Sequence, residues 1–150
     1  MLNETLKELF IRDLNKLKEE ISAYKKESDL WVTTGTIKNS GGNLCLHLIG
    51  NLNTYIGAKL GKVDYIRQRD LEFSDKNVPR SVLLDNIDET IDFVTQGLDS
   101  VTTEQLKGMF PEKIWATETK MDFTLIHIHS HLMYHLGQIN YHRRMMEVKE

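Results

Sequence analysis

The segment from Met121 to Met146 carries the strongest structural signal in the chain. Its apolar side chains recur every three or four residues, which is the spacing that lines one face of an α-helix. These side chains are Leu125, Ile128, Leu132, Leu136 and Ile139. The pattern predicts one helix over residues 121–146, with its apolar face packed on a core made by other helices.

Histidines follow this predicted helix along the border of its apolar face. His131 and His135 are four residues apart, so their Cβ atoms should lie about 5–6 Å from each other on the same side. Two imidazoles so placed can bind one metal ion, at Zn–N distances of about 2.0–2.1 Å. A histidine at such a border is also a common hydrogen-bonded structural residue. A metal site therefore requires a third ligand from elsewhere in the chain.

Three other segments have the same amphipathic pattern, and they span residues 2–25, 41–60 and 79–99. Two long polar or irregular connections, residues 61–78 and 100–120, separate the last three of the four helices. This layout predicts an all-α protein, a four-helix bundle with two long interhelical connections. A chain of 150 residues is expected to form a single domain over 1–150.

The second predicted helix offers the third ligand. His47 lies at the border of its apolar side, four residues from both Asn43 and Asn51. Sites in helical bundles are built from side chains on facing helices. The side chain of His47 could therefore lie beside those of His131 and His135 in the interior of the bundle, at one of its ends.

Three neutral imidazoles would leave a divalent ion with its full charge and with open coordination positions, which is typical of catalytic sites. Such an ion can lower the pKa of water to about 7, and it can equally stabilise a thiolate or polarise a carbonyl group. Imidazole suits zinc, nickel, iron and copper alike, so the donor set leaves the metal open.

Several polar side chains could support these ligands. Asn51, Tyr134 and Gln138 could hydrogen-bond an imidazole N–H or a bound water. No Asp or Glu lies one or four residues from the three histidines. Asp70 or Glu72 could supply a carboxylate if the connection 61–78 folds over the site.

The composition narrows the classes of function. The formal net charge is −3, which gives no reason to expect nucleic-acid binding. A single cysteine, Cys45, excludes an internal disulfide and favours a reducing compartment. The first residues lack the pattern of a signal peptide, and no apolar run is long enough to cross a membrane. We expect a cytoplasmic protein that acts on a small molecule.

Three blocks of the sequence together resemble the DinB-like superfamily, in a branch described only as a domain of unknown function. The blocks are Asn43-Leu44-x-x-His47-Leu48-x-Gly50-Asn51-Leu52, Arg67-x-Arg69-Asp70-x-Glu72-Phe73, and His131-x-x-Tyr134-His135-x-Gly137-Gln138-Ile139. The resemblance covers nearly the whole chain, and the order and spacing of the blocks make it specific. It implies a DinB-like four-helix bundle with a divalent metal ion held by His47, His131 and His135.

The resemblance also implies a class of reaction. Thiol-handling members of the superfamily conjugate low-molecular-weight thiols to electrophiles, and other members are described as metal-dependent hydrolases. The implied metal is nickel or zinc, with iron or manganese as alternatives, and the implied quaternary structure is a homodimer packed through helices. Thiol transfer is favoured because a thiolate needs a general base less than water does. The alternatives are a metal-dependent hydrolase and a non-enzymatic metal-binding bundle or dimerisation module.

Overall fold

The structure is a computed structural model that describes residues 1–147. Within this range it is helical and contains no β-strand, although one isolated bridge joins Met109 to Lys120. The helices are α1 (Leu2–Ala23), α2 (Gly41–Leu52), α3 (Arg69–Ser74), α4 (Arg80–Asp99), α5 (Thr103–Leu106) and α6 (Met121–Met146). A 3₁₀ helix covers Glu27–Trp31, and a π-helical segment, Asn53–Ala58, extends α2.

The four long helices correspond to the four predicted amphipathic segments. They pack in the cyclic order α1, α4, α2, α6, since α1 contacts α4 and α6 while α2 contacts the same two helices. The apolar stripe of α6 is buried as predicted, and so is the stripe of the neighbouring helix α1. Shared burial of these stripes is what holds the helices around one core.

The connection between α2 and α4 is more ordered than the sequence suggested. Its polar composition predicted a plain connection, whereas the structure forms the short helix α3 within it. Asn43 in α2 is fully buried, and its side-chain amide donates to the carbonyl oxygens of Glu72 (3.0 Å) and Asp75 (2.9 Å). These two hydrogen bonds attach α3 to the side of α2.

The connection between α4 and α6 is held at both ends. Thr102 caps α5 by accepting a hydrogen bond from the backbone N–H of Gln105 (3.2 Å). Phe110 is buried, and the bridge between Met109 and Lys120 ties the connection to the start of α6. This path carries Trp115 to the surface beside α6. Within residues 1–147, each helix is either too short or too polar to cross a lipid bilayer.

Candidate metal centre

Helices α2 and α6 bring three histidines together. Nε2 of His47 lies 3.1 Å from Nε2 of His131, although 84 residues separate them in the chain. The ring of His135 packs 5.3 Å from that of His47 and 4.5 Å from that of His131, measured between centroids. One ring nitrogen from each of the three lies within 4.8 Å of the others. The structure thus groups the three predicted histidines.

Hydrogen bonds fix which nitrogen carries the proton in two of the rings. Nδ1 of His47 lies 3.0 Å from Oε1 of Glu72, and Nδ1 of His135 lies 2.7 Å from Oε1 of Gln138. Because a carboxylate and an amide oxygen only accept, both Nδ1 atoms must donate. In the neutral rings, Nε2 therefore keeps its lone pair and is free to bind a metal.

The contact between His47 and His131 needs a proton or a cation between the two facing nitrogens. The lone pair of His47 Nε2 points at Nε2 of His131, 3.1 Å away. Two nitrogen lone pairs repel each other at this distance, so a proton or a cation must lie between the two atoms. In the metal-free protein, Nε2–H of His131 donates to His47. The other nitrogen of His131, Nδ1, is buried and has no hydrogen-bond partner among the described residues.

The two histidines that α6 contributes to the cluster, His131 and His135, are neutral near pH 7. Burial, aided by the nearby rings of His135 and His47, lowers the pKa of His131 to about 4. Burial also lowers the pKa of His135, and the hydrogen bond that His135 donates to Gln138 opposes this shift. A metal binds imidazole only in its neutral form, so these shifts favour metal binding over protonation.

Glu72 links the connection between α2 and α4 to the histidine cluster. Its side chain is only 7% exposed, and it accepts two hydrogen bonds from Arg67, at 2.8 and 2.9 Å, as well as the one from His47. Burial acts to raise the pKa of Glu72, but the hydrogen bonds from His47 and Arg67 outweigh it and hold the pKa below its usual range. Glu72 is therefore a carboxylate anion that orients the ring of His47.

The approach of Glu72 to α2 depends on a glycine. A Cβ atom added at Gly50 would lie 1.9 Å from Oε2 of Glu72 and 2.6 Å from its Cδ. Any other residue at position 50 would occupy the space that the carboxylate fills. Gly50 thus allows Glu72 to reach His47 across the surface of the helix.

The donor set fits a divalent metal ion. Two nitrogens bonded to one zinc ion at about 2.0–2.1 Å can be at most about 4 Å apart, and His47 and His131 meet this limit. Carboxylate and amide partners on the second ring nitrogen are the usual supports of metal-binding histidines. Among the described residues, Glu72 and Gln138 provide them for two of the three rings.

A cleft of about 390 Å³ opens in front of His47 and His131. Its other lining residues are Asn51, Tyr55, Arg67, Arg69, Ile114, Trp115, His127 and Ile128. A second cavity, of about 660 Å³, lies beside His135 and is mainly apolar. The histidine cluster thus borders two cavities, and both volumes suit small molecules.

The remaining predicted site residues occupy different positions. Asn51 faces the cleft, and its Oδ1 is buried without a hydrogen-bond partner among the described residues. Gln138 holds His135, whereas Tyr134 is 66% exposed with its ring 5.3 Å from that of His135. Asp70 is exposed on α3, and its side chain makes no ion pair within residues 1–147. Of the two carboxylates proposed in this connection, Glu72 is the one that contacts a histidine.

The other histidines have structural partners. His129 contacts Asp13 at 2.7 Å across the α1–α6 interface. His142 donates from Nε2 to the carbonyl oxygen of Val32 (2.7 Å) and accepts from the Tyr24 hydroxyl (2.6 Å). His127 is exposed at the rim of the cleft, with its ring 4.7 Å from that of Trp115.

Two contributors to the site were not identified as such from the sequence. Arg67 neutralises Glu72, and Phe73 packs its ring 5.0 Å from that of His47. Both lie in the connection, where no helical periodicity predicts neighbours. The only available signal was their place in the block that carries the resemblance.

Comparison with known proteins places the chain in a family without assigning an activity. No curated protein matches the chain. Residues 2–150 match the family DUF1572, which is described as a protein of unknown function. Because the match covers almost the full length, the chain belongs to the DUF1572 family.

Proposed function

We propose that this protein is a DinB-like four-helix bundle that binds one divalent metal ion through His47, His131 and His135. The observation that carries the proposal is the pair of Nε2 atoms of His47 and His131, which face each other at 3.1 Å. Nickel or zinc is the metal we propose first, because imidazole nitrogen binds both strongly. Iron and manganese, which such sites bind more weakly, are the alternatives.

The proposed activity is transfer of a low-molecular-weight thiol to an electrophile. A bound divalent ion would supply positive charge that stabilises the thiolate form of the substrate. His47, His131 and His135 would hold this ion, while Glu72 and Gln138 keep two of the rings in the required tautomer. In the overall reaction the thiol loses its proton to solvent, its sulfur forms a bond to the electrophilic carbon, and the leaving group departs with its bonding electrons.

The state of Glu72 supports thiol transfer over hydrolysis. A hydrolase needs a general base within hydrogen-bond reach of the attacking water. Both oxygens of Glu72 are committed to Arg67 and His47, and its lowered pKa makes it a weak base. The cleft is lined by no aspartate or glutamate among the described residues. A thiol ionises far more readily than water and needs no such base.

The proposal is tested by loading the purified protein with nickel or zinc and measuring conjugation of a low-molecular-weight thiol to monochlorobimane. We expect activity that depends on the metal and is lost in His47→Ala. A control variant, Lys16→Ala, removes an exposed side chain of α1 that lines neither cavity, and it should retain activity. Stoichiometric metal that stabilises the fold without turnover would support the non-enzymatic alternative, and absence of stoichiometric metal in the loaded protein would refute the centre itself.

We further propose that a second copy of the chain covers the outer face of α6. This face exposes apolar side chains at helical spacing: Phe123, Ile126, Met133, Tyr141 and Met145. On α4, by contrast, the solvent side carries the acidic residues Asp85, Asp88, Glu89 and Asp92. Extended apolar faces are unusual on monomers. A two-fold axis would bury the same face of both copies, which is the usual geometry of homodimers.

A further inference from the structure

We infer that the cleft in front of His47 and His131 recognises an anionic group on the substrate, and that Arg69 is the residue that binds it. This inference rests on the proposed thiol transfer and narrows its substrate class. It predicts a thiol that also carries a carboxylate or a similar anionic group.

The charges of the cleft support an anionic ligand. Among the described residues, its permanently charged lining residues are Arg67 and Arg69. Arg67 is neutralised by its two hydrogen bonds to Glu72. Arg69 takes part in no ion pair or side-chain hydrogen bond within residues 1–147, so its charge is uncompensated at the rim of the cleft. A bound divalent ion would add further positive charge.

Arg69 is held in position. Its guanidinium carbon lies 5.3 Å from the centre of the Phe73 ring, a cation–π contact. That ring in turn packs against His47. Because the aromatic ring anchors the guanidinium on the cleft side of α3, the arginine can offer a planar pair of donors to an incoming anion.

The spacing sets an upper limit on the length of the ligand. Arg69 lies 5.3 Å from the Phe73 ring, and this ring lies 5.0 Å from His47, so the guanidinium is within about 10 Å of the histidine. Part of this distance is taken up by the ion pair at one end and by the metal–sulfur bond at the other. A short chain of a few carbons between the sulfur and the anionic group therefore fits.

The other lining residues suit such a molecule. Trp115 and Tyr55 offer aromatic walls for its carbon skeleton. The unpaired Oδ1 of Asn51 offers an acceptor for an N–H group of the ligand. The cavity beside His135 is mainly apolar, which makes it a poorer place for an anion.

The test uses the cobalt-loaded protein and two thiols of equal length, 3-mercaptopropionate and 3-mercapto-1-propanol. Binding of either thiolate to cobalt(II) is followed by its sulfur-to-metal absorption band, which requires no turnover. We expect wild type to prefer the carboxylate, and we expect Arg69→Gln to reduce this preference about fivefold, as for loss of a partly exposed ion pair. Raising the salt concentration should weaken the preference in wild type as well.

The matched control is Arg144→Gln. Arg144 is also exposed and also lies over an aromatic ring, 5.4 Å from that of Tyr141, but it does not line the cleft. Its removal should leave the preference unchanged. If both thiols bind and Arg69→Gln keeps the wild-type preference, the anion site is refuted while thiol binding stands. If neither thiol changes the cobalt spectrum, the proposed thiol chemistry fails, and the inference fails with it.

Discussion

The substitution Gly50→Ala tests whether Glu72 supports the metal centre. The added methyl group would lie 1.9 Å from Oε2 of Glu72, whereas real contacts of a Cβ atom are essentially never shorter than 3.0 Å. The carboxylate must therefore withdraw by about 1 Å, the difference between these two distances. Such a displacement breaks its present hydrogen bonds to His47 and Arg67.

The expected cost appears in metal affinity. Loss of a carboxylate that orients a metal-binding histidine lowers affinity about 10- to 100-fold. This corresponds to about 1.4–2.7 kcal/mol of binding free energy. Alanine also stabilises a helix by about 1 kcal/mol relative to glycine, which partly offsets the folding free energy lost with the displaced ion pair. The variant should therefore stay folded while it binds metal more weakly.

Metal affinity can be measured by competition with a chromophoric chelator, with circular dichroism as the check on folding. Gly137→Ala is the matched control, because it adds the same methyl group to a helical glycine with no atom within 4 Å. Its affinity should equal that of wild type. Wild-type affinity in Gly50→Ala would refute the role assigned to Glu72, and an equal loss in both variants would show a general effect of the methyl group.

Three other predictions concern packing, pH and assembly. Asn43→Ala should destabilise the protein by about 1–3 kcal/mol in urea unfolding and weaken metal binding, because it releases α3 from α2. Burial acts to raise the pKa of Asp13, but hydrogen bonds from Arg12 and His129 hold this pKa below its usual range. The ionised Asp13 therefore stabilises the fold fully above about pH 4, and this contribution is lost as the pH falls further. Unfolding at pH 7 should show Asp13→Asn about 1–3 kcal/mol less stable than wild type, with the gap shrinking as the pH falls below about 4 and with exposed Asp88→Asn costing under about 1 kcal/mol. Ile126→Lys should convert the proposed dimer to monomers in analytical ultracentrifugation, whereas Ile66→Lys, a change at another exposed isoleucine, should not. A dimer that survives Ile126→Lys would refute the proposed interface.

The sequence was sufficient to predict the features that arise within one helix. The apolar stripe of 121–146 predicted a helix and its buried side, since burial of such a stripe depends only on residues three or four apart. The pairing of His131 with His135 follows from the same geometry. The four long helices and their approximate bounds were confirmed for the same reason.

Features that join distant segments were decided by the tertiary structure. The meeting of His47 with His131 was a hypothesis until the packing of α2 on α6 placed their nitrogens 3.1 Å apart. The role of Glu72 depends on α3, which the buried amide of Asn43 attaches to α2. It also depends on Gly50, because any larger side chain there would occupy the space of the Glu72 carboxylate. Periodicity cannot predict such contacts, because they arise from the packing of whole helices and connections rather than from the repeat of any one of them.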